Sequence, residues 1–130
     1  MAQVLLVDRE ILYVEDSFDT GELVKVILAS LGFDTTVAAN LSDARKLIDA
    51  NRYALFLIDV RLPDGNGLDL CRWIRQSNSQ TPIAVYSANP SYMAEAMSAG
   101  AQAFIPKSGD IELLELTVQR LVQNNTAVIP

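Results

Sequence analysis

Short runs that are apolar throughout alternate along the chain with longer stretches whose apolar residues recur at three- and four-residue spacing. Ile11-Leu12-Tyr13-Val14, Leu55-Phe56-Leu57-Ile58 and Ile83-Ala84-Val85-Tyr86 are runs of the first kind, and Ala103-Phe104-Ile105 is a shorter one. A strand with one wet face alternates apolar and polar residues. Runs that are apolar at every position fit strands covered on both faces, as in a parallel sheet. Thr35-Thr36-Val37-Ala38 is more polar and predicts an edge strand. Between the runs the period turns helical. Leu23, Val24, Ile27, Leu28 and Leu31 share a face of a first helix that Gly32 ends. Leu41, Ala44, Leu47 and Ile48 mark a second, with Asn40 or Ser42 as N-cap. Leu70, Cys71 and Ile74 mark a third. Tyr92, Met93, Ala96 and Met97 mark a fourth that stops at Gly100, and Leu114, Val118, Leu121 and Val122 a fifth. Strand then helix, five times over, predicts an α/β fold. Right-handed crossovers lay five helices on both faces of a doubly wound, five-stranded parallel sheet.

Val4-Leu5-Leu6-Val7-Asp8 imitates a first strand ending in an acid, but spacing decides against it. The stretch from Asp16 to Asp59 holds one helix, one strand and one helix with ordinary loops, and a start at Asp8 would leave Ile11–Val14 unused. Residues 1–10 are therefore an N-terminal extension carrying an extra strand, a linker or an interface element. Residues 11–123 form the domain, and residues 124–130 a C-terminal tail or the start of a linker.

Composition narrows the chemistry. The chain has 130 residues, half of them hydrophobic and 20% charged, enough to bury a core in one domain. A net charge of -6 argues against nonspecific nucleic-acid binding and against a polybasic membrane anchor. There is no histidine and a single cysteine, Cys71, which excludes a typical zinc site and any Ser-His-Asp or Cys-His catalyst. A metal held here is a hard ion on oxygen ligands. No apolar run reaches membrane-spanning length, so the expected home is the cytoplasm.

In an open α/β sheet, ligands sit beyond the carboxyl ends of the strands. There the first strand leaves Glu15 and Asp16, the third Asp59, the fourth Ser87 and the fifth Lys107. Crowded carboxylates repel one another unless they take up protons or a cation. With all-oxygen ligands the cation is magnesium (or manganese), which also offsets the charge of an incoming phosphoryl donor. One carboxylate can then act as nucleophile, Lys107 can clamp a phosphate oxygen, and Ser87 can donate to another.

Ile11-Leu12-Tyr13-Val14-Glu15-Asp16-Ser17, Leu57-Ile58-Asp59-Val60-Arg61-Leu62-Pro63, Gly67, Ser87-Ala88 and Phe104-Ile105-Pro106-Lys107 together resemble the receiver domain of bacterial two-component response regulators, in its chemotaxis-regulator-like form. The resemblance spans residues 11 to 123 and implies a flavodoxin-like sheet in the order 2-1-3-4-5. It also implies roles. Asp59 is the phospho-acceptor, and Glu15 and Asp16 are the acidic pair of the metal site. Asp16 is a direct ligand, and the backbone carbonyl of Arg61 is a further one. Ser87 and Lys107 bind phosphate, and Phe104 stands at the switch aromatic. Arg61 and Asn89 flank the phosphoryl group and tune its lifetime. A histidine kinase or a histidine phosphotransfer protein is the implied donor. A downstream protein or a further output domain is the implied target, with no direct nucleic-acid or membrane contact. A homodimer through the face of the fourth helix, fifth strand and fifth helix is a further expectation.

On this reading phosphorylation draws Ser87 toward the added charge, Phe104 turns inward, and the output face changes. The domain is a switch that catalyses only its own phosphotransfer and dephosphorylation. Two variants stay open: a module of a hybrid kinase or longer regulator, and a degenerate domain that only binds partners. A phosphatase with an aspartate nucleophile usually has a second acid two residues on, where this chain has Arg61. A flavin module usually has a glycine-rich phosphate loop, where this chain has Asp16-Ser17-Phe18-Asp19-Thr20. Ser108 follows Lys107 where many receivers have proline, so a trans bond is expected, since cis would cost about 2.5–4 kcal/mol. Gly65-Asn66, in place of the usual Met-Asp, predicts a looser loop after Asp59. Plainer roles also exist: Asp16 and Ser87 as helix caps, Tyr92, Met93 and Met97 as core, Cys71 as inert core, and Trp73 as a half-buried anchor.

Overall fold

The computed structural model describes residues 4–6, 9–125 and 127–129. Met1–Gln3, Val7, Asp8, Thr126 and Pro130, parts of the extension and tail read from sequence, lie outside the described residues. The strands are β1 (Val4–Leu6), β2 (Glu10–Val14), β3 (Asp34–Ala38), β4 (Leu55–Ile58), β5 (Arg61–Leu62), β6 (Gly65–Asn66), β7 (Ile83–Ser87), β8 (Ala103–Pro106) and β9 (Ala127–Ile129). The helices are α1 (Phe18–Ser30), α2 (Leu41–Ala50), α3 (Gly67–Ser77), α4 (Met93–Ser98) and α5 (Ile111–Asn124), with a 3₁₀ turn at Pro90–Tyr92 before α4. The central sheet is parallel throughout, in the order β3-β2-β4-β7-β8, which in chain order is 2-1-3-4-5. The polar strand β3 is at its edge. Apart from it, β1 and β9 pair antiparallel, so the stretch read as tail contains a strand that meets the extra N-terminal one.

Alternate residues of each central strand feed separate cores, the reason these strands are apolar at every position. Leu12, Val14, Phe56, Ile58, Ile83 and Val85 pack with residues of α2, α3 and α4. Ile11, Tyr13, Leu55, Leu57, Ala84 and Ile105 pack on the other side with Val24 and Leu28 of α1 and with Leu114, Val118 and Val122 of α5. Cys71 is fully buried on α3, and burial pushes its thiol up to about 12, consistent with an inert core residue. Trp73 is half-buried, with the Arg45 guanidinium 5.7 Å from its ring centroid. Leu23, Met93 and Met97 depart from their expected core positions and are exposed. The fourth helix has only six residues, and Ala96 alone is buried in it, so its methionines cannot both face inward.

Two devices set the ends of the strands. At the foot of the sheet, Arg75 donates to the carbonyls of Asn78 (2.9 Å), Thr81 (2.9 Å) and Gly100 (3.0 Å) and to Gln102 Oε1 (2.8 Å). Gln102 Oε1 also accepts from Ile83 N at 2.7 Å, so the starts of β7 and β8 are tied together. At the head, backbone bonds continue the ladder one step past the strands: Glu15 N to Ala38 O (2.9 Å), Asp59 N to Val14 O (3.0 Å) and Lys107 N to Ser87 O (2.9 Å). The sheet itself thereby fixes where these three side chains emerge.

The segment after Asp59 is compact, against the looser loop expected from Gly65-Asn66. It doubles back as the hairpin β5-β6, and Gly67 N donates to Val60 O at 2.7 Å. A β-carbon at Gly67 would lie 1.8 Å from the carbonyl oxygen of Asp59, so only glycine lets the chain re-enter α3 this close to the site. Gly67→Ala is expected to destabilise the domain by about 3 kcal/mol, read as a lower urea midpoint at unchanged slope.

Candidate phosphoryl and cation site

The turn after β2 carries two acids in different settings. Glu15 is buried, 2% exposed, while Asp16 is exposed. Ser17 caps α1, its Oγ accepting from Thr20 N, so the plainer role for Asp16 as helix cap is taken by its neighbour and its carboxylate stays at the rim. Asp59 follows β4, and its Oδ1 accepts from Val60 N at 2.8 Å. One carboxylate oxygen from each of Glu15, Asp16 and Asp59 lies within 4.8 Å of the others.

Lys107, carried past the end of β8, reaches into this cluster. Its Nζ donates to Glu15 Oε1 at 2.8 Å and to Asp59 Oδ2 at 3.0 Å. The same Nζ stands 5.6 Å from the centroid of the Tyr86 ring. The peptide bond after Lys107 is trans, as expected with serine following. Burial works against the ammonium's charge, but its bonds to the two carboxylates prevail and hold its pKa above that of an ordinary lysine. Burial pushes the Glu15 carboxyl up to about 7, and the nearby Asp59 adds to this while Lys107 opposes it.

Asp59 and Lys107 form one wall of an open cleft of about 240 Å³, lined also by Arg61, Ser87, Ala88, Asn89 and Tyr92. Ser87 Oγ accepts from Asn89 N at 3.2 Å, and the Asn89 side chain accepts from Ser91 N at 3.0 Å. Asn89, not Ser87, therefore caps the turn ahead of α4. Phe104 lies outside the cleft lining. It is paired in register with Val85 and packs half-buried against the core on the α2-α3-α4 side. The structure thus brings Glu15, Asp16, Asp59 and Lys107 into one cluster and sets Arg61, Ser87 and Asn89 around the adjoining cleft. Tyr92, read from sequence as core, is half-buried against the α2-α3-α4 core and also lines that cleft. Its place follows from the irregular turn at Pro90–Tyr92, which helical periodicity did not register.

The donor set fits a hard divalent cation. Glu15 Oε2 is buried with no hydrogen-bond partner among the described residues, a costly state for a carboxylate oxygen. The cluster offers oxygen only, which favours magnesium over softer metals.

The response regulator receiver domain profile matches residues 11–119. The chain belongs to the response regulator receiver domain family. The response regulator protein PilR of Pseudomonas aeruginosa is 38% identical over 120 residues, which are 90% of this chain and 27% of PilR. The chain therefore spans about a quarter of that relative. The response regulator TrrA of Thermotoga maritima, solved in complex with Mg2+-BeF, superposes with a TM-score of 0.82 at 27% identity, covering 87% of this chain and 98% of that one. The signal receiver domain of a signal transduction histidine kinase from Syntrophus aciditrophicus superposes at 0.81 with 30% identity, covering 88% and 90%. No helix among the described residues of this receiver is long and apolar enough to cross a membrane.

With a folded pKa of about 7 against the ordinary 4.5, Glu15 favours folding in its protonated form. That stabilisation is complete below about 4.5 and is lost as pH rises through about 7. In excess EDTA the receiver's thermal midpoint should therefore rise as pH is lowered from about 8 to about 6, and Glu15→Gln should flatten the dependence, both measured by differential scanning calorimetry.

Proposed function

We propose that this receiver takes a phosphoryl group onto Asp59 from a phosphohistidine of a histidine kinase or a histidine phosphotransfer protein, and that the modification changes its protein-binding surface. The reading is carried by the Asp59 carboxylate, held by Lys107 Nζ at 3.0 Å on the wall of an open cleft and beside two further acids. Glu15, Asp16, Asp59 and the carbonyl of Arg61 would hold magnesium (or manganese), which when bound supplies positive charge to offset the donor's oxygens. An oxygen of Asp59 attacks phosphorus, the P–N bond to the imidazole breaks, and the leaving imidazole takes up a proton. Lys107 then pairs with a phosphoryl oxygen, and Ser87 turns its hydroxyl from Asn89 N toward another. Arg61 and Asn89 stand at the cleft's edge, where they restrict the water that later hydrolyses the acyl phosphate.

The domain turns over no external substrate and works in the cytoplasm. Its output runs to a downstream protein or a further domain of a longer chain, as suits a segment matching about a quarter of PilR. Movement of Ser87 frees space along β7, and inward rotation of Phe104 reshapes the α4-β8-α5 face. The two helices of that face leave Met93, Met97, Leu113 and Leu116 exposed, apolar area suited to a partner or a second copy.

Incubation with magnesium and acetyl phosphate should add one labile phosphoryl group by intact mass. Asp59→Asn or EDTA should abolish the gain, and Lys107→Ala should reduce it sharply. Unchanged modification of Asp59→Asn would sink the assignment. Arg61→Ala is expected to shorten the half-life of the phosphorylated form, measured by loss of the mass increment after the donor is removed.

A further inference from the structure

Asp64 belongs to neither the acidic cluster nor the cleft, yet its carboxylate makes a contact that bears on both. Oδ1 accepts from Leu41 N at 2.8 Å and Oδ2 from Ser42 N at 3.0 Å, the opening amides of α2. That helix already has its own cap, Asn40, whose Oδ1 accepts from Asp43 N at 2.8 Å. Asp64 is thus a second cap, supplied from another part of the chain. The α2 amides, Leu41 N first, hold the Asp64 carboxyl below its ordinary pKa.

Asp64 sits at the tip of the β5-β6 hairpin, where Arg61 pairs with Asn66 and Leu62 with Gly65. Two-residue strands do not hold a hairpin in place unaided. Its position comes from its anchors. At the base these are the bond from Gly67 N to Val60 O and the Asn66 side chain, which accepts from Leu68 N at 2.7 Å. At the tip they are the Asp64 carboxylate and Gly65. Gly65 has a φ of +149°, and a β-carbon there would lie 2.8 Å from Leu41 Cδ1. The hairpin's first residue is Arg61, which lines the cleft and whose carbonyl completes the proposed cation set.

We infer that Asp64 is a positioning residue. By fastening the hairpin tip to the start of α2, it keeps Arg61 in register with the acidic cluster and thereby sets the site's affinity for a divalent cation. The inference rests on the cation-assisted reading above. It predicts a lesion that spares all three carboxylates of the cluster and still weakens the metal.

Calorimetric titration with MgCl2 tests it on the wild type and on Asp64→Ala, Asp64→Asn, Asn40→Ala and Asp16→Asn, with the metal-free thermal midpoint of each recorded. Asp64→Ala should raise the magnesium Kd about tenfold, the usual cost of losing a group that orients a metal ligand. Asp64→Asn should recover part of the loss, since an amide oxygen can still accept from one α2 amide. Both variants remove the same charge, so the difference between them reads the hydrogen bond and not the field. Asn40→Ala should lower the midpoint through the lost cap while leaving the Kd at the wild-type value. A wild-type Kd in Asp64→Ala, or an equal weakening in Asn40→Ala, overturns the inference while leaving the cation reading intact. A wild type that takes up no magnesium, or an Asp16→Asn that binds it equally well, overturns both.

Discussion

Lys107 carries a single positive charge to the rim of the sheet and places it 2.8 Å from one carboxylate and 3.0 Å from another. The pairing is poorly hydrated: Glu15 is almost wholly buried, and the Asp59 and Lys107 side chains are 13% and 21% exposed. In such a setting the attraction between opposite charges is stronger than on the surface, and a charge left without its partner costs more. With all three acids ionised, one ammonium leaves two negative charges over, the charge that one divalent ion neutralises. Burial first, and the neighbouring Asp59 after it, raise the pKa of Glu15 against the pull of Lys107. The rest of the head of the sheet is arranged to keep these groups in contact.

The doubly wound order explains how residues so far apart in sequence meet. β2 and β4 are neighbours, with β7 and β8 following on the same side, so the carboxyl ends of four consecutive strands deliver Glu15 with Asp16, Asp59, Ser87 and Lys107 to one rim. Burial of both sheet faces leaves little freedom for any strand to slide, because a one-residue slip would exchange the two cores. The site therefore inherits its accuracy from the packing beneath it.

Much of this was legible in the sequence because it is written in local signals. Wholly apolar runs named the central strands, and the polar Thr35-Thr36 pair placed β3 at the edge. The acids, the serine and the lysine stood where strands had to end. What escaped depended on contacts between distant segments. Asp64, between Pro63 and Gly65, has the look of an ordinary turn residue, and nothing near it in the chain reveals that its partners are the amides of Leu41 and Ser42. Gly65-Asn66 suggested slack for the same reason, although the hairpin is held at both ends. Met93 and Met97 fell on a helical period, but a helix of six residues has too little surface to bury them. In these cases the local pattern was real and the tertiary environment overrode it.

The Arg75 knot gives the sheet a mechanical polarity. β7 and β8 are clasped at their amino ends by one guanidinium that reaches Asn78, Thr81, Gly100 and Gln102, while their carboxyl ends carry Ser87 and Lys107 at an open cleft. The ladder continues from that clasp to the bond from Lys107 N to Ser87 O at 2.9 Å, so the hydroxyl and the ammonium at the cleft share a single backbone frame.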